Sequence, residues 1–286
     1  MPAATVPIAP TGRAGLAAML VTSASAVPLI ALQQLAIGLG VLAVGLLLAF
    51  LADRTLARTL AVVAVGLVIL SVTSLEADLT DLGMLRFTLV LGGAVLVPTL
   101  LARRYIAPDA VRFPVRGRRW TQLQWWYLAA VVAIAYLLLP FYFVGSGAYR
   151  NWPAISTANE IGRLFVGVNA VGIWDELFFI CIVFSLYRRH VGLWTANLLQ
   201  AIVFVSFLWE LGYRSWGPAL TIPFALVQGW IFATTASLGY VVTVHLLFDA
   251  IVFLVLVHAH NPHLFDFFVT IPTRPPPADQ WVGVRE

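Results

Sequence analysis

Apolar runs long enough to cross a membrane recur along this chain, and they fix the solvent in which it folds. A helix needs about 20 mostly apolar residues to traverse about 30 Å of hydrocarbon. Runs near that length occupy Thr59 to Leu75, Leu85 to Leu101, Trp125 to Val144, Ile161 to Tyr187, Trp194 to Tyr213, Pro218 to Ala236 and Gly239 to His258. One more, Leu16 to Leu51, is too long for a single span and has no clear loop. Pro28 and the pair Gln33-Gln34 divide it into a re-entrant or interfacial piece followed by a span, or into two short spans. It lacks the short apolar core of a cleaved signal peptide and is read as retained. Lipid cannot hydrogen-bond an open backbone, so runs of this length are helical. The expected fold is an all-α, polytopic membrane helical bundle of about eight spans, or nine if the first run is a hairpin.

Composition agrees: 61% of the 286 residues are hydrophobic and only 10% charged, outside the range of soluble domains. All 17 basic residues are arginine, and the pI is near 9.6. The arginines sit in short loops between apolar runs rather than on a basic helix face, which argues against a nucleic-acid partner and for the positive-inside bias of a membrane protein. Arg54 and Arg58, then Arg103, Arg104, Arg112, Arg116, Arg118 and Arg119, then Arg188 and Arg189, mark alternate connections as cytoplasmic. The acidic connection with Glu76, Asp78 and Asp81, and the balanced one around Arg150 and Glu160, read as outside. Trp120, Trp125, Trp126, Tyr127, Trp194 and Trp216 fall at span ends, where interfacial aromatic anchors are expected. Cys181 reads as a small buried hydrophobe. His258, His260 and His263 are metal-ligand types, but their spacing alone does not define a metal site. The tail with Pro272 and Pro275 to Pro277 is too short and polar for a core of its own. A lysine-free, alanine- and arginine-rich chain fits a GC-rich bacterial genome and hence a bacterial cytoplasmic membrane.

Against this apolar background, four ionisable residues inside spans stand out: Asp175, Glu176, His245 and Asp249. Each costs roughly 2.5 kcal/mol or more at the bilayer centre, so such groups usually face the protein interior and serve a function. His245 and Asp249 are four residues apart and share one helix face. Asp175 and Glu176 diverge by about 100° on an α-helix, so one is expected to face a cavity while the other is tied to structure. A buried carboxyl can act as a general base near neutral pH, and an imidazole beside it can share the proton or bind a developing oxyanion. A structural pair across helices is the alternative. A working site requires a carboxylate at 175 or 176 within about 3 Å of the His245 ring, directly or through one water.

The stretch Asp175-Glu176-Leu177-Phe178-Phe179-Ile180, followed by Tyr187-Arg188-Arg189 and Gly192-x-Trp194-x-Ala196, and the later Thr235-Ala236-Ser237-Leu238-Gly239 running into His245-Leu246-Leu247-Phe248-Asp249, resemble the CAAX-protease and bacteriocin-processing family of intramembrane endopeptidases. Members carry Glu-Glu-x-x-x-Arg on one span, Phe-x-x-x-His on the next and His-x-x-x-Asn/Asp near the end. The resemblance covers about Gly167 to Val257. It implies a division into membrane spans and a basic loop (1–124), a protease-like core (125–260) and a polar tail (261–286).

The resemblance implies a hydrolase that cleaves a prenylated or otherwise membrane-associated peptide, with either Asp175, at the position of the water-activating acid, or Glu176, at the second acid, as base, and His245 with Asp249 binding the carbonyl oxygen. The chain also departs from the pattern. Ile180 stands where the arginine belongs, and the histidine of the second motif falls on Leu208 if Phe204 is its anchor or on Glu210 if Ser206 is. Glu210 is then an auxiliary acid, or half of an exposed ion pair with Arg214, four residues on, at the outer end of its span. No cofactor is implied; a divalent metal is disfavoured by the single histidine well inside a span and the lack of His-Glu-x-x-His. A catalytically silent scaffold and, third, a proton-coupled transporter are the competing classes, the last without the paired broken helices it would need.

Overall fold

A computed structural model describes residues 12–117 and 119–271. Arg118 of the basic loop and the prolines at 272 and 275 to 277 lie outside the described residues. Among the described residues the secondary structure is helical throughout, and nine helices are long and apolar enough to cross a membrane. They are α1 (Arg13–Ala31), α2 (Leu35–Ala52), α3 (Arg54–Ser71), α4 (Asp81–Tyr105), α5 (Gln122–Gly145), α6 (Ala158–Tyr187), α7 (Leu193–Leu211), α8 (Pro218–Thr235) and α9 (Leu238–His260).

The long first run is therefore a hairpin, which raises the count from eight to nine. Pro28 does not end α1; the helix passes it in a π-helical turn, Val27–Ala31. The break comes at Gln33, whose φ of 53° reverses the chain and whose side-chain amide donates to the Ile30 carbonyl at 2.9 Å, satisfying a group the helix end would leave bare. Helix α3 starts at Arg54 rather than near Thr59. The extended Asp53 is the whole connection, and its carboxylate caps α3 by accepting from the backbone of Thr55 (2.8 Å) and Leu56 (2.9 Å). Capping boxes at Thr121/Gln124 and Thr157/Glu160 likewise carry α5 and α6 beyond their apolar runs. Helix α7 stops at Leu211, short of Tyr213, because Gly212 turns with φ 137°.

Contacts between connections sort them into two ends. At one end His190 bonds Thr59 Oγ1 (2.9 Å), Leu238 N donates to Pro114 O (2.8 Å) and the Tyr240 hydroxyl donates to Gln124 O (2.9 Å). At the other, Arg214 pairs with Glu76 (3.2 Å), the Asn151 amide donates to Gly212 O (3.1 Å) and that of Asn261 to Ile155 O (2.8 Å). The arginine-rich connections share the first end and the acidic one lies at the second, the segregation that the positive-inside bias requires. Trp125, Trp126 and Trp194 are exposed in the first turns of α5 and α7, where anchors belong. Helices α6, α7 and α9 supply much of the buried centre, including Phe178, Phe179, Phe204, Phe207, Val252 and Val255.

Candidate active site

Helix α6 changes its winding where the acids stand: Ala158–Asp175 is α-helical and Glu176–Phe184 is π-helical. The wider π turn rotates less per residue than an α turn, and such segments often mark functional sites. Both acids thereby reach one imidazole, on different edges. Glu176 Oε1 lies 2.7 Å from His245 Nδ1, within the required 3 Å. Asp175 Oδ2 lies 3.6 Å from Nε2, and Asp249 Oδ2, one turn along α9, lies 3.8 Å from the same nitrogen. Both Nε2 distances exceed a direct hydrogen bond.

The two acids differ in surroundings. Glu176 is fully buried, and its Oε1 also accepts from the Gln228 side chain of α8 at 2.7 Å. That amide donates in addition to Val241 O at 3.2 Å, tying α8 to α9. Asp175, with His245 and Asp249, lines a cavity of about 290 Å³. Among the described residues Asp175 Oδ1 has no hydrogen-bond partner. The cavity runs between α4 and α6, past Phe87, Leu91 and Leu164, to the acidic end of the bundle at Asp78, Trp152 and Tyr213. Gly172, one turn before Glu176, also borders it; a Cβ there would overlap Asp249 Oδ2, so only glycine lets α9 bring that carboxylate so close. The Phe224 ring stands edge-on to the imidazole at 4.9 Å.

Gln228 is, with His245, the side chain that bonds the second acid. Ile180, at the arginine position, is wholly buried. The sequence signal for Gln228 was available: it is the one amide side chain on α8. Of the two registers for the second motif, the Phe204 anchor puts a residue on the cavity wall: Phe204 stacks on Phe179 (4.5 Å, 17°) and Leu208 lines the cavity. Glu210 is engaged elsewhere, with Arg214 at 3.2 Å and the Ser74 hydroxyl at 3.2 Å. The expectation of an exposed pair is corrected, since Glu210 is only 1% exposed.

Cys181 is buried and free. His258 bonds Phe265 O at 2.7 Å, while the His260 ring packs edge-on against Tyr149 at 5.4 Å, so these two histidines face separate partners. Among the described residues no three His, Cys, Asp or Glu side chains are grouped to hold a metal ion.

Fold and site together define a polytopic helical membrane protein with a buried cluster of three acids and an imidazole opening on an intramembrane cavity. Residues 157–251 match the model of the family described as type II CAAX prenyl endopeptidase, Rce1-like. The match runs from the cap of α6 into α9 and includes all four residues of the cluster, Gln228, Leu208 and Tyr213, in agreement with the resemblance read from the motifs. No curated protein and no solved structure matches the chain.

Proposed function

We propose that this chain is a membrane-embedded endopeptidase that hydrolyses a membrane-associated peptide, with Asp175 as general base. The observation that carries the reading is the pair of cavity-lining carboxylates facing His245 Nε2 while buried Glu176 holds Nδ1. Asp175 Oδ1, with no protein partner among the described residues, takes a proton from water as the water oxygen bonds to the peptide carbonyl carbon. With both ring nitrogens protonated, His245 donates Nδ1–H to Glu176 and presents Nε2–H to the carbonyl oxygen, which becomes negative. Asp249 balances the charge of the ring. Collapse of the tetrahedral intermediate breaks the C–N bond, and the proton held by Asp175 passes to the leaving amine.

The reading invokes no metal or cofactor. The apolar cavity walls suit the lipid-associated end of a peptide, and prenylated or otherwise membrane-delivered peptides are the substrate class that the family match supports. The lysine-free composition supports a bacterial cytoplasmic membrane as the location. Leu208 on the cavity wall favours a second reading, a silent relative that binds such a peptide without cleaving it. Purified protein in lipid nanodiscs separates the two: the enzyme cleaves a membrane-anchored peptide in a manner abolished by Asp175→Asn, whereas a scaffold binds it and leaves it intact.

A further inference from the structure

Leu208 leaves the cavity wall without the imidazole that the second motif carries, yet the chain brings a tyrosine to the same cavity. Helix α7 ends one turn later at Gly212, whose φ of 137° no side-chain-bearing residue adopts easily. The reversal bends the chain back, so that Tyr213 N donates to Leu208 O at 2.9 Å. A Cβ at 212 would also press on Trp152 Nε1, 2.7 Å away, so the same glycine lets the loop carrying Trp152 close over the helix end. Tyr213 and Leu208 then line the cavity together, with Asp175, His245 and Asp249.

The Tyr213 ring is held from several sides. It lies parallel to Tyr142 (6.3 Å, 6°) and edge-on to Phe143 (5.5 Å, 62°) and Trp152 (6.0 Å, 83°). The Tyr142 hydroxyl donates to Arg214 O at 2.7 Å, which pins the backbone next door. Tyr213 is 6% exposed. A phenol fixed in this way loses little freedom on meeting a ligand, the condition for a preorganised donor. Burial, and after it the negative charge of Asp249, hold its pKa well above the ordinary value, which keeps the O–H on the ring.

Resting on the endopeptidase reading above, we propose that the Tyr213 hydroxyl is a second hydrogen-bond donor to the scissile carbonyl oxygen, beside His245 Nε2–H, and stands in for the histidine missing at Leu208. The group touches the reacting oxygen and is catalytic in that sense. It donates a hydrogen bond without transferring its proton, so the balance of the hydrolysis is unchanged.

Tyr213→Phe removes the hydroxyl and keeps the ring. In nanodiscs, with a membrane-anchored fluorogenic peptide, it is expected to lower kcat about 10²- to 10³-fold, the usual loss of one oxyanion donor, with KM within threefold of wild type. Adding Leu208→His to Tyr213→Phe is expected to recover at least tenfold of that loss. A Tyr213→Phe kcat within threefold of wild type overturns the assignment, as does a loss confined to KM. Undiminished cleavage by Asp175→Asn overturns the base reading instead, so the two failures are distinguishable. Should wild type not cleave, the readout becomes affinity for the phosphinic analogue of the peptide, whose tetrahedral oxygens imitate the intermediate. Tyr213→Phe then weakens the analogue at least tenfold and leaves the parent amide unchanged; an equal effect on both overturns the proposal.

Discussion

Gln228 Nε2 and His245 Nδ1 meet the same carboxylate oxygen, Glu176 Oε1, each at 2.7 Å. One amide and one imidazole, from α8 and α9, thus fix the second acid of α6. Gln228→Leu removes one of these partners inside a buried cluster. A buried polar group left short of a partner costs about 1–3 kcal/mol, and the expected result is a loss of that size in denaturant stability in detergent, with slower cleavage because the His245 ring is no longer held in one orientation. Unchanged stability and rate would remove Gln228 from the site.

Gly172→Ala is the smallest change that addresses Asp249. The new methyl would overlap Asp249 Oδ2, so α6 and α9 must part or the carboxylate must turn from Nε2. The expected result is at least a tenfold loss of cleavage from a protein that still inserts and folds. Gly162, which has open space around its Cβ position, is the control, and its alanine variant keeps full activity.

Much of this architecture is legible in the sequence, because hydrocarbon thickness sets the length of each apolar run and the arginines set its direction. The i,i+4 spacing of His245 and Asp249 survives unchanged into α9. Less visible are features decided by a side chain meeting a distant backbone or by a change of helix type. Pro28 and Gln33 both look like breaks in the first run, and only the amide of Gln33 reaching Ile30 O makes the second one the turn. The 100° divergence of Asp175 and Glu176 assumes an α-helix; the π winding from Glu176, and the two-edged imidazole between them, bring both acids to one ring. Gln228 meets Glu176 across 52 residues of sequence, and Tyr213 reaches the cavity through a glycine turn. Neither contact belongs to a local pattern.

Glu210 tests the division between cavity and framework. It is buried with Arg214 and bonded to Ser74, and Leu208 occupies the cavity wall instead. Glu210→Gln keeps the shape and removes the charge, so a loss of about 1–3 kcal/mol in stability is expected, with cleavage per folded molecule within threefold of wild type. A hundredfold loss of cleavage at full stability would make Glu210 an auxiliary catalytic acid.

The connection between α6 and α7 carries a pH-dependent contribution to stability. Burial, with Arg189 nearby, holds His190 below the usual histidine pKa, opposed by Asp53. The unfolded chain therefore binds this proton more readily than the folded one. Stability present above the unfolded pKa of about 6.5 is lost as pH falls through the lower folded value. Thermal unfolding between pH 8 and pH 5 should show a decline in Tm that His190→Asn flattens; parallel curves for the two proteins would contradict it.

The most direct test of the site is single-turnover cleavage of a membrane-anchored peptide by wild type and Asp175→Asn in the same nanodiscs, each with its unfolding transition measured. A general base of this kind contributes about 10²- to 10⁴-fold, so Asp175→Asn should cleave at least 10²-fold more slowly while unfolding as cooperatively as wild type. Equal rates from the two folded proteins would contradict Asp175 as the base and the cavity beside His245 as the place where the peptide bond is broken.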